Sequence, residues 1–215
     1  MDGHERSSLC ETPAEELASS ITHGIGAALS VFALVLMIVR AEGALEVTAA
    51  AIFGASLTTL YLSSTFYHIF TGARVKEFFQ LLDHSCIYLL IAGTYTPITL
   101  VTLGGGWGWS LFGVVWGLAF AGIIFKAVTH GKNDHWISTA VYIAMGWLVV
   151  IALKPLLGSM AMSGFVLLAA GGLCYTLGVI FFLWEKMRFN HAIWHLFVMG
   201  GSACHVVAVI RYVIS

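Results

Sequence analysis

Apolar residues run through this chain in long blocks separated by short polar stretches, and the blocks are about as long as a bilayer is thick. A spanning helix needs about 20 mainly apolar residues. Seven blocks answer to that description: residues 20–39, 47–70, 81–103, 109–128, 136–153, 160–183 and 191–214. The fifth is the shortest. The stretches between them, 40–43, 72–76, 104–108, 130–134, 154–158 and 184–190, hold Gly, Pro or charge and read as turns. Pro97 lies inside the third block and is expected to kink it or to mark its last turns. The pattern predicts an all-α integral membrane protein. A polar acidic tail over residues 1–18 precedes a single seven-helix transmembrane domain over 19–215, with no internal repeat.

Composition agrees with a multi-pass membrane protein rather than a soluble domain: 59% hydrophobic, 10% charged, mean hydropathy +0.91 and 23 Gly. Ten basic residues against eleven acidic ones supply no basic stripe, so nucleic acid is not an expected partner. Cys10, Cys86, Cys174 and Cys204 show no paired spacing, and the last three lie in apolar runs; no structural disulfide is expected. The first 18 residues carry Asp2, Glu5, Glu11, Glu15 and Glu16 against Arg6, the wrong sign for a secretory leader. The first apolar block is therefore expected to remain as a signal anchor.

Charge also orients the bundle. Arg6, Arg74, Lys76, Lys126, Lys132, Lys186 and Arg188 fall on the N-terminal side, whereas Arg40, Lys154 and Arg211 fall on the other. The excess predicts a cytoplasmic N-terminus and an outside C-terminus.

With that orientation the ionisable residues sort by depth. His23, His68, Asp83, His191 and His195 all fall in one layer near the cytoplasmic ends of their spans. Burying such groups in hydrocarbon costs on the order of 2.5 to 3.5 kcal/mol each, so five together call for partners. His191 and His195 stand four residues apart, on one helix face, and can share a metal ion. With His68 they make a three-His ligand set that leaves a fourth position for water, and bound zinc lowers the pKa of such a water to ~7. Asp83 would take a proton from that water, and Ser64, one turn before His68, would orient it or a substrate oxygen. Each residue alone has an ordinary explanation: an interfacial His, a helix-start Asp, a small packing Ser, a polar core pair. Their agreement in depth favours the joint reading.

Other polar residues stay outside the expected site. His84 is about 100° round the helix from Asp83 and is expected to face elsewhere. His205 is ten residues after His195, on another face and about 15 Å further along the helix. His4, His130 and His135 fall in the tail or a loop, and Trp107, Trp109, Trp136 and Trp184 read as an interfacial belt.

The same residues carry a family likeness. The segments Glu16-Leu-Ala-Ser-Ser-Ile-Thr22-His23-Gly24, Ser63-Ser64-Thr65-Phe66-Tyr67-His68, Asp83-His84 through Ala92-Gly93-Thr94-Tyr95-Thr96-Pro97, and His191-Ala-Ile-Trp-His195 resemble the hemolysin III branch of the progestin and adipoQ receptor family. The resemblance implies a seven-helix bundle with a cytoplasmic N-terminus. It also implies zinc on His68, His191 and His195, with Asp83 and Ser64 beside the metal's water. Ser19 departs from the family pattern, which has Asn there, so the stripe Glu16, Ser19 and His23 is read as supporting the ligands or starting the helix. The wider superfamily includes alkaline ceramidases, which implies hydrolysis of a lipid amide or ester.

The expected function is a zinc-dependent hydrolase of the cell membrane whose substrate is a membrane lipid. The alternatives are a membrane-state sensor with a structural zinc site and a cytolytic protein. Against the last, no span shows a polar stripe suited to a wide pore. Haem is disfavoured because His191 and His195 share one helix face, and retinal because the seventh span holds no Lys.

Overall fold

The structure, a computed structural model, describes residues 12–129 and 135–214. Arg6, Cys10, His4 and the acidic residues Asp2, Glu5 and Glu11 lie outside the described residues, as do His130, Lys132 and Asp134. Among the described residues eight α-helices follow one another: α1 (Pro13–Arg40), α2 (Gly43–Ile69), α3 (Ala73–Pro97), α4 (Gly105–Thr129), α5 (His135–Gly146), α6 (Leu153–Ser159), α7 (Met162–Leu183) and α8 (Asn190–Tyr212). No strand occurs among the described residues. Seven helical segments are long and apolar enough to cross a bilayer, the third being α3 with its continuation to Leu103 and the fifth running from Trp136 to Ser159. The expectation of seven spans holds, and the chain is a multi-pass integral membrane protein.

Three boundaries differ from the sequence reading, each for a local reason. The first helix begins at Pro13, so residues expected in a polar tail are its first turns. Thr12 caps it: its hydroxyl accepts from Glu15 N–H, and the Glu15 carboxylate accepts in return from Thr12 N–H at 3.0 Å. Pro13 fits the first helical position because its missing N–H has no partner to lose there. At the other end of the third span, Pro97 does not stop the helix. It hands over to a π-helical turn, Ile98–Leu103, closed by Gly104 at φ 58°, whose N–H donates to Thr99 O at 2.9 Å. The expected turn over 154–158 is instead the helix α6, joined to α5 through a 3-10 segment, Leu148–Ala152. The chain reverses after it, at Met160 and Ala161.

Helix pairing rests on small residues, as expected where lipid tails are as apolar as the side chains. On α7, Gly164, Gly171 and Gly178 repeat every seven residues on the face toward α8. A methyl group at Gly171 would meet the His205 ring and the Gly201 carbonyl, so the two backbones approach as closely as glycine allows. The opposite face of α7 shows Val166, Leu173, Leu177 and Ile180 to the surroundings, a stripe suited to hydrocarbon. Trp107, Trp109, Trp136 and Trp184 are exposed at helix ends, as a belt requires. Cys86, Cys174 and Cys204 are free thiols.

Candidate metal centre

One helix end and one helix start bring the ligand candidates together. His68 is next to last on α2, while His191 and His195 occupy the first two turns of α8. One ring nitrogen from each lies within 4.8 Å of the other two, and all three residues are buried. Ring centroids are 5.0 Å apart for His68 and His191, 5.2 Å for His68 and His195, and 4.5 Å for His191 and His195. The four-residue spacing on α8 explains the last distance. The others depend on how α2 and α8 sit together.

Contacts outside the triad fix which nitrogen each ring presents. His68 Nδ1 donates to the Glu16 carboxylate at 2.7 Å, so the nitrogen it could offer an ion is Nε2. His195 Nδ1 lies 3.2 Å from the Ser19 carbonyl, which can only accept, so that nitrogen carries the proton and Nε2 the lone pair. Thr22 Oγ1 is also 3.2 Å from His195 Nδ1. His191 Nε2 is buried with no hydrogen-bond partner among the described residues. An orphaned imidazole nitrogen in so dry a place is costly unless something satisfies it. Three neutral imidazoles with oriented lone pairs form a donor set that suits zinc and other divalent transition metals, and the residues present fit such an ion.

The stripe on α1 is what holds the triad. Glu16 receives His68 on one oxygen and Lys76, from the first turn of α3, on the other. Lys76 also lies over the Tyr67 ring, 4.9 Å from its centroid. Glu15 accepts from Phe189 N–H at 2.9 Å, and Phe189 sits at φ 58° just before α8. One acidic pair therefore ties the start of α1 to both ligand-bearing helices. His23 stacks on His195, centroids 3.4 Å apart and planes 9° from parallel, but its nitrogens are not part of the three-His set.

Two members of the triad, His191 and His195, line a cavity of about 140 Å³. Asp83 and Ser64, side by side in its wall, face it together with His23, His191 and His195. Leu60, Ile87, Ile91, Val179 and Val198 line it further in. His84 is in this wall as well, contrary to the sequence expectation. The cavity is wide enough to be lined by two faces of α3, and the side 100° round from Asp83 looks toward α5, where Tyr142 donates to the His84 carbonyl at 2.8 Å. His205 also lines the cavity, far from the triad, and meets the Leu168 carbonyl through Nε2 at 3.1 Å.

Sequence reasoning missed two participants, while Glu16 does support a ligand as its stripe suggested. Glu15 was assigned to a tail, although Thr12-Pro13-Ala14-Glu15 is a capping-box sequence that marks a helix start. Lys126 was counted as a charge near the membrane surface, yet it is 1% exposed and lines the cavity. A cation two residues before the expected end of an apolar block was the available signal.

Fold and site define a class: a seven-helix membrane protein with a buried histidine triad and a carboxylate at one end of an apolar cavity. Residues 12–206 match the model of the Haemolysin-III related family, and the chain belongs to that family. Hemolysin-3 of Bacillus cereus is 51% identical over 203 residues, covering 93% of this chain and 92% of that protein. The Hemolysin-3 homolog of Bacillus subtilis (strain 168) is 48% identical over 204 residues, covering 94% and 95%. At greater distance, the Homo sapiens monocyte to macrophage differentiation factor is 29% identical over 204 residues, covering 92% and 84%. The resemblance drawn from the four sequence segments is borne out.

Proposed function

We propose that the protein is a zinc-dependent hydrolase of a lipid amide or ester, set in the cell membrane with its N-terminus on the cytoplasmic side. The observation that carries this reading is the convergence of the His68, His191 and His195 nitrogens, two of whose residues, His191 and His195, share the wall of an apolar-lined cavity with Asp83 and Ser64. Zinc held by the three histidines would supply Lewis acidity, polarising a substrate carbonyl and easing deprotonation of a water. Asp83 accepts the proton of the attacking water and passes it to the departing amine or alcohol. Ser64 donates a hydrogen bond to the substrate's carbonyl oxygen, and the walls formed by Leu60, Ile87 and Val198 hold the acyl chain away from water. Glu16 and the Ser19 carbonyl keep His68 and His195 in the tautomers that ligation needs.

The test is fatty-acid release by purified, zinc-loaded protein from a broad panel of lipid amides and esters, wild type beside Asp83→Asn. Release by wild type and at least a hundredfold loss in the variant, with zinc retained, is the expected result. No release from any member of the panel, or an Asp83→Asn protein as fast as wild type, would overturn the reading and leave zinc a structural or sensing role.

A further inference from the structure

A second cavity, of about 100 Å³, lies further along the bundle and is lined by Leu153, Leu156, Phe165 and Leu168. It shares six wall residues with the first: Thr94, Tyr95, Gly146, Trp147, Gly172 and His205. The two spaces therefore adjoin at a neck made by these side chains and by the bare backbone of Gly172. The Trp147 indole lines both spaces and is held by its N–H, which donates to Thr176 Oγ1 at 3.0 Å.

The adjacent glycines of α7 do different jobs. Gly171 is packed: a Cβ there would stand 3.0 Å or less from the Gly201 carbonyl and the His205 ring. Gly172 is not. A Cβ there meets nothing nearer than the edge of Trp147, at 3.8 Å, and otherwise projects into open space. Packing between helices explains the first glycine and says nothing about the second, which lowers helix propensity without letting any backbone approach. What Gly172 does is leave the neck clear.

Distance gives the neck a meaning. Phe182 lies beside His191, ring centroids 6.0 Å apart, and Gly172 is ten residues back along α7. That places the neck roughly 15 Å from the level of the triad, about the depth of one leaflet's hydrocarbon. We infer that the two cavities are one acyl tunnel and that Gly172 sets the length of chain it accepts. Short chains end before the neck, whereas long chains pass Trp147 and Gly172 into the inner cavity. This rests on the proposed acyl-lipid reading of the site and extends it to a long-chain substrate class.

The experiment measures binding apart from turnover. Radiolabelled palmitate and octanoate are titrated against purified full-length protein in detergent, with wild type, Gly172→Ala and Gly172→Leu. In Gly172→Leu palmitate binding is expected to weaken tenfold or more and octanoate binding to stay within twofold; Gly172→Ala, whose methyl fits beside Trp147, falls between. Palmitate binding unchanged in Gly172→Leu, or both chains weakened alike while Gly172→Ala shows no preference, overturns the tunnel. Fatty-acid release is followed in the same preparations. A wild type that binds both chains but releases nothing sinks the hydrolase reading and leaves the chain-length comparison standing.

Discussion

Two polar regions lie buried in this bundle, and they are built on opposite plans. Around Ser202 the groups satisfy one another: Tyr61 donates its hydroxyl to Ser202 at 2.7 Å, and Tyr175 shares a hydrogen bond with the same Oγ at 2.8 Å. Three helices, α2, α7 and α8, are joined there by a closed network. At the triad the hydrogen bonds run outward instead. Glu16 and the Ser19 carbonyl occupy one nitrogen of His68 and one of His195, and the remaining nitrogens converge. A closed network specifies how helices pack; a converging set of lone pairs specifies a cation. The two regions meet at Tyr61, whose ring stands edge-on to His23 at 5.0 Å.

The sharpest way to break this contrast is to remove a ligand. His191→Ala should lose nearly all bound metal from purified protein, while His205→Ala, on the same helix but outside the triad, should keep it; elemental analysis of both decides. Equal loss in the two would mean that any buried His on α8 matters only for folding. A middle-sized effect is expected at Glu16→Gln, which keeps the shape but removes the charge that holds His68. Supporting carboxylates of this kind are worth about 10- to 100-fold in metal affinity, so chelator competition should register a loss in that range. Wild-type affinity in that variant would reduce Glu16 to a partner of Lys76 alone. The smallest change belongs to the closed network. Tyr61→Phe should cost about 1 kcal/mol of stability, visible as a modest fall in Tm, with metal content untouched. A loss of metal there would show that the two regions are one.

How much of this was legible beforehand follows from which distances are local. His191 and His195 share a face because four residues make roughly one helical turn, so their pairing needed no fold. Asp83 and His68 were placed by depth, since each lies near the same end of its block, and Ser64 by its one-turn spacing from His68. Rotation about each helix axis was another matter. His84 was expected to face away because only its angle from Asp83 was known, not the width of the cavity. The acidic start of α1 looked like a tail because it is polar, although polarity at that end is what links α1 to α2, α3 and α8.

The number of spans, the apolar character of their outer faces and the pairing of the two histidines on α8 were settled by the chain itself. Each depends on hydropathy over some twenty residues or on a single helical period. Only the assembled bundle decided that His68 joins them, that Glu16 reaches both His68 and Lys76, and that Gly172 faces empty space while Gly171 is packed. Those outcomes hang on the rotation and separation of helices distant in sequence. In a membrane those are governed by close contacts at small residues rather than by any periodicity within one helix.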